Sequence, residues 1–208
     1  MVRQRVRIRF CKQGNLRWIG HRDLMRCLER LFRRAGLPLA MSEGFHPKPR
    51  MSFPSALAVG IEGLDEVMDL QLAESRTAEQ LHAQLAPHAP PGLKFNSVEV
   101  LPPGAKKARL HGVRYRAPIP AERRTDVSER IARILAAKSH PIVRSGRAAP
   151  LDLRPLLDEL ALREGTLWMR LRETPGASPR PREVLAAVGL SDPETRAVQL
   201  CRTEVEVR

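Results

Sequence analysis

The chain has 208 residues, 42% of them hydrophobic and 28% charged, enough apolar material for one large domain or two small ones. Aromatic content is only 4%, so Leu, Val, Ile and Ala must supply most of the core. Lys+Arg 36 against Asp+Glu 23 leaves a formal charge of +13, which favours nucleic acid or another anionic surface as partner. No apolar run of about 18 residues is present, which excludes a membrane-spanning segment.

The excess charge is concentrated. Up to Ser55 there are thirteen basic residues and three acids (Asp23, Glu29 and Glu43), so ten of the thirteen net charges fall in the first quarter of the chain. The amino terminus alternates charged and apolar residues and lacks the continuous apolar core of a signal peptide. Cys11, Cys27 and Cys201 are odd in number and widely spaced, with neither zinc-ribbon nor iron–sulfur spacing. A reduced, cytoplasmic setting without a metal or cofactor is the expectation.

Val2 to Phe10 alternates strictly, predicting a strand with Val6, Ile8 and Phe10 inward and Arg3, Arg5, Arg7 and Arg9 on the other face. Those arginines either present a row of positive charge or keep a sheet face wet and protect an edge. Lys12 to Asn15 reads as a turn. From His21, the residues Leu24, Cys27, Leu28, Leu31 and Ala35 recur at helical spacing, opposite Arg22, Arg26, Arg30 and Arg33, and Gly36 supplies the stop. Leu37–Met41 reads as a short second strand. The segment 42–50 is a loop stiffened by Pro47 and Pro49, carrying Phe45, His46, Lys48 and Arg50. Phe45 would either stack on a base or plug the core beneath the loop. Met51–Val59 and Glu66–Leu72 read as strands, Thr77 caps a helix through Ala86, and Leu93–Leu101 is a further strand.

Pro102–Lys107 is a linker by composition. The order then repeats: strand Leu110–Ile119, helix 121–137 with Val127, Ile131, Ile134 and Leu135 buried, and a short strand at Pro141–Arg144. Leu153–Leu162 and Thr166–Arg172 flank a Glu164-Gly165 hairpin turn; a helix from Pro181 and a strand 197–207 follow. Residues 1–101 and 108–208 are therefore expected to be two tandem α+β units of the ferredoxin-like βαββαβ pattern, with antiparallel sheets and helices on one face.

The chemistry candidates centre on residues 14–53. Arg17, Arg22, Arg26, Arg30, Arg33, Lys48 and Arg50 are candidate phosphate contacts, with Phe45 as a stacking residue. This requires their side chains to gather on one exposed patch. His21 and His46 are candidate general bases on a ribose 2′-hydroxyl, beside Lys48 and Arg50, as in a metal-independent ribonuclease. Their alternatives are a capping or core histidine at 21 and a phosphate contact at 46. His82, His88, His111 and His140 lack ligand spacing for a metal. Arg144-Ser145-Gly146-Arg147 is a basic turn that either extends the anion track or is ordinary loop.

Three runs carry a resemblance: KxGxLRxxxHxDLMR from Lys12 to Arg26, ERxxRRAGLPL from Glu29 to Leu39, and SxGFxPxPxxSF from Ser42 to Phe53. On them the chain resembles the bacterial radical SAM-linked proteins, a domain of unknown function, strongly over the first 60 or so residues and more loosely beyond. Gly20 stands where that pattern has Ser, which removes a side-chain helix cap. Members of the family are fused to, or encoded beside, a radical SAM enzyme. The resemblance implies an accessory part rather than the radical enzyme itself; with the basic helix and loop, the expectation is a protein that presents RNA, such as tRNA or rRNA, to a radical SAM partner. The alternatives are a metal-independent RNA endonuclease of the CRISPR repeat-processing type, and a protein-interaction scaffold for the radical SAM partner.

Overall fold

Alternation of Arg with Val, Ile and Phe builds the first strand of the computed structural model, which describes residues 3–144, 149–174 and 176–208. Val2 and the Ser145-Gly146-Arg147 portion of the basic turn lie outside the described residues. Strand β1 (Gln4–Lys12) buries Val6, Ile8 and Phe10. By the same parity Lys12 also points inward: it is the last strand residue rather than part of a turn. Its side chain is fully buried, and Nζ donates to the Ile19 carbonyl at 2.8 Å. A buried ammonium must be hydrogen-bonded, so Lys12 ties the end of β1 to the segment leading into the first helix.

That helix, α1, spans His21–Arg34 and buries Leu24, Leu28, Leu31 and Phe32. Gly20 at its N-cap offers no side-chain bond. Gly36, at φ +64°, ends it, with the Leu37 amide donating to the Phe32 carbonyl at 3.1 Å; a left-handed residue is cheap there only for glycine. The half continues with β2 (Met51–Ser52), β3 (Glu62–Leu72), α2 (Ala78–Leu85) and β4 (Leu93–Leu101). Thr77 and Gln80 close a reciprocal capping box on α2.

The chain divides into two units, Met1–Arg109 with Val207–Arg208, and Leu110–Glu206. In the first, β1 lies between β4 and β3, antiparallel to both, and β2 flanks β3. One face of these strands packs on α1 and α2 through Val6, Ile8, Phe10, Met68, Leu70 and Leu72. The expected second strand at Leu37–Met41 is only two isolated bridges, Leu39 to Leu72 and Met41 to Pro49. Pro38 and Pro49 lack the amides a continuous ladder needs. The expected strand Met51–Val59 stops at Ser52, just before Phe53-Pro54.

The second unit comprises β5 (Leu110–Pro118), α3 (Arg124–Ala136), β6 (Pro141–Ile142), β7 (Leu151–Asp152), β8 (Leu157–Arg163), β9 (Thr166–Arg172), α4 (Pro181–Ala187), α5 (Asp192–Ala197) and β10 (Cys201–Val207). Its strands are ordered β10-β5-β9-β8. The expected strand at Pro141–Arg144 pairs only with β7 in a separate ribbon. Glu164 and Gly165, at φ +50° and +73°, make the β8–β9 turn, as Glu-Gly between two apolar runs predicts. Val127, Ile131 and Ile134 are buried, but Leu135 is 39% exposed, because it falls one residue off the stripe. The last strand begins at Cys201, since Asp192–Ala197 forms α5 behind a Ser191–Glu194 capping box. The whole is a mixed α+β protein with mostly antiparallel strands. Among the described residues, no helix is long and apolar enough to cross a membrane.

Candidate functional site

The arginines of β1 are not a free row of charge. Arg7 stands directly across from Asp69 on β3, and its Nε donates to the carboxylate at 2.9 Å. Arg5 reaches the same carboxylate at 3.3 Å, and Arg9 pairs with Asp65. The hydrogen bond to Asp69 raises the Arg7 guanidinium pKa above its ordinary value. Since β1 is the middle strand, these side chains do not protect an edge either. They hold β3 and the segment after β4 in place: Asp69 also accepts the Ala108 amide at 3.0 Å, and Arg5 donates to the Ala105 carbonyl.

The arginines of α1 are arranged differently. Arg22, Arg26, Arg30 and Arg33 are all exposed. Arg26 approaches Asp23 at 3.4 Å and Arg33 meets Glu29 at 2.7 Å, with the arginine side chains still 72% and 59% exposed. Such exposed pairs contribute at most about 1 kcal/mol and leave the guanidinium available. Among the described residues, Arg22, Arg30 and Lys48 make no ion pair.

The Pro-stiffened loop projects from the sheet margin. Residues on both sides of it continue the pairing with β3: the Ala40 amide donates to Gln71, and the Gln71 amide donates to Arg50. The excursion between them is closed by Ser42, whose amide donates to the Lys48 carbonyl at 2.8 Å and whose hydroxyl accepts the Lys48 amide at 3.0 Å. Gly44 at φ +110° gives the bend. Phe45 is fully exposed, which rules out a core plug. His46 is exposed beside it. Arg50 folds back, donating to the Met41 carbonyl at 3.0 Å and meeting Glu43 at 3.3 Å.

Helix and loop together flank a half-open cavity of about 400 Å³. Arg22, Arg26 and Lys48 supply its cations, and Met25, Pro49 and Met51 its apolar lining. His21 and Glu29 complete it. The His21 ring sits edge-on to Phe53 at 5.0 Å, and Phe53 sits edge-on to Phe10 at 6.4 Å, so this histidine is braced against the core.

Four of the expected site residues (His21, Arg22, Arg26 and Lys48) therefore meet, although Lys48 is distant from α1 in sequence. Arg30 and Arg33 lie further along the same helix, and Phe45 and His46 sit on the loop. Arg50 lines a separate cavity of about 290 Å³ with Arg5, Asp69, Gln71 and Lys107. Arg17 stacks 4.9 Å from the centre of the Trp18 ring and approaches Glu62 at 3.4 Å. Met25, Glu29, Pro49 and Met51 were missed as lining. The available signal was the four-residue spacing of His21, Met25 and Glu29 beside Arg22 and Arg26, which places all five along one strip of helix.

Among the described residues, no three His, Cys, Asp or Glu side chains gather to hold a metal ion. No curated protein matches the sequence. Residues 5–181, which include both walls of the cavity, match the family described as an uncharacterized protein conserved in bacteria (DUF2344), and the chain belongs to that family.

Proposed function

We propose that this chain is an RNA-binding accessory protein that works with a radical SAM enzyme in the modification of tRNA or rRNA. The observation that carries the RNA reading is the cavity between α1 and the loop, where three cations face one carboxylate and an apolar lining. Phosphate needs exposed Arg and Lys held in fixed positions, and bases need apolar or aromatic surface; the segment 21–51 has both. The radical SAM partner rests on the resemblance of the Lys12–Phe53 motifs. We also read each unit as ferredoxin-like, from the matching strand orders β4-β1-β3-β2 and β10-β5-β9-β8.

Binding of tRNA and rRNA fragments by the full chain, followed across a salt series, tests the RNA reading. Affinity should fall steeply with salt; affinity indifferent to salt removes it. Co-purification with a radical SAM enzyme that survives nuclease treatment tests the partnership.

A ribonuclease reading is favoured by one observation, that His21 lines the cavity beside Arg22, Arg26 and Lys48. There its imidazole would take the proton of a ribose 2′-hydroxyl while the cations meet the developing phosphorane charge. Cleavage of total RNA in a chelator, abolished by His21→Ala, would establish it. Intact RNA under the same conditions sinks it.

A further inference from the structure

We propose that the α1–loop cavity receives a single unpaired nucleotide of the RNA, base inward and phosphates on the rim, with guanine favoured. This rests on the RNA-binding reading above and names what enters the site. The first ground is size: pockets for small ligands run to roughly 300–1,000 Å³, and about 400 Å³ is room for one nucleotide rather than a duplex.

The second ground is the distribution of polarity. Met25, Pro49 and Met51 offer apolar and sulfur surface to a base face. Arg22, Arg26 and Lys48 are the cations of the lining, while Glu29 is its only carboxylate. An ionised carboxylate repels phosphate and can only accept hydrogen bonds, from N–H or O–H donors, so it keeps phosphates from its neighbourhood and welcomes a donor-bearing base edge. Guanine is the base whose pairing edge carries two adjacent donors, N1–H and the N2 amino group. Arg33 donates to one Glu29 oxygen at 2.7 Å, which leaves the other oxygen's lone pairs to accept from a base. A paired guanine uses that edge on its partner strand, so the site requires an unpaired one.

The third ground is rigidity. The helix wall is braced through the His21, Phe53 and Phe10 rings, and the loop wall is pinned by the two Ser42–Lys48 bonds and by Pro49, which is buried. A site already formed does not give up binding energy to be ordered.

The test uses the full chain and two labelled RNA hairpins, one with a single bulged guanosine and one fully paired, with a third carrying a bulged uridine to compare bases, in fluorescence anisotropy at roughly 50 mM salt with a chelator. The bulged hairpin should bind about tenfold tighter, as burying and stacking one base implies. Met25→Trp fills the cavity and should make the two hairpins equal. Glu29→Gln, which leaves the volume unchanged, should shrink the advantage of bulged guanosine over bulged uridine. Circular dichroism confirms that each variant is folded. Equal affinity of the unmodified chain for both hairpins overturns the nucleotide site and leaves the RNA reading standing, as does a preference that survives both variants. Failure to bind either hairpin or tRNA overturns the RNA reading itself.

Discussion

Asp69→Ala separates the arginines that hold the fold from those available to a ligand. The Asp69 carboxylate is 4% exposed and accepts from Arg7 at 2.9 and 3.3 Å, from Arg5 at 3.3 Å and from the Ala108 amide at 3.0 Å. Its removal leaves two guanidiniums, only 22% and 16% exposed, without their counter-charge. Hydrogen bonds to charged groups contribute about 1.5–3 kcal/mol each, and breaking a buried pair costs about 3–5 kcal/mol. Partial access to water lets the freed arginines rehydrate, so we expect a loss of about 3 kcal/mol, read as a lower urea midpoint. RNA affinity of the folded fraction should be unchanged, because Asp69 touches neither α1 nor Lys48. Arg26→Gln should do the reverse, shifting stability by no more than about 0.5 kcal/mol while weakening RNA binding. An Asp69→Ala protein within about 1 kcal/mol of the unmodified chain, or one that folds normally and loses RNA affinity, would refute the division.

Replacing Arg22, Arg26 and Lys48 together by Gln should reduce the slope of log K against log salt by about 2, at about 0.7 per phosphate contact on single strands; an unchanged slope in filter binding excludes these three as phosphate contacts. Phe45→Ala should leave the thermal midpoint unaltered, since the ring is fully exposed, and should weaken single-stranded RNA binding about tenfold. Leu28→Ala empties a site with no solvent exposure on α1 and should cost about 2–5 kcal/mol in chemical denaturation. In the second unit, hydrogen bonds from Arg170 hold the Glu206 carboxyl below its ordinary value of 4.5. A carboxyl depressed in the folded state stabilises fully above its unfolded value, and that contribution is lost as pH falls through the folded value. The urea midpoint of this unit should therefore drop below about pH 4.5, and Glu206→Gln should flatten that limb.

Much of the local structure follows from short-range pattern. Period two in 4–10, helical spacing in 21–35, the Thr77 cap and the Glu164-Gly165 turn each fix an element through contacts a few residues apart. The errors fall where pattern is interrupted. Prolines break what reads as continuous strand at 37–41 and 51–59. Lys12, charged and two residues before Gly14, resembles a turn residue, although its parity with Phe10 places it inside.

The arginine excess was legible as composition, and so was its concentration near the amino terminus. Which arginines remain available was not, because neutralisation depends on neighbours remote in sequence. Asp69 lies 62 residues from Arg7 and reaches it only because β3 docks antiparallel on β1. Among the described residues, Arg22, Arg30 and Lys48 make no ion pair with a carboxylate. The α1 cavity follows the same rule: its helix wall is written in one four-residue rhythm, while its loop wall arrives from 19 residues or more away. A charge pattern specifies how much positive charge the chain carries, whereas the docking of strands and helices decides where a polyanion can touch it.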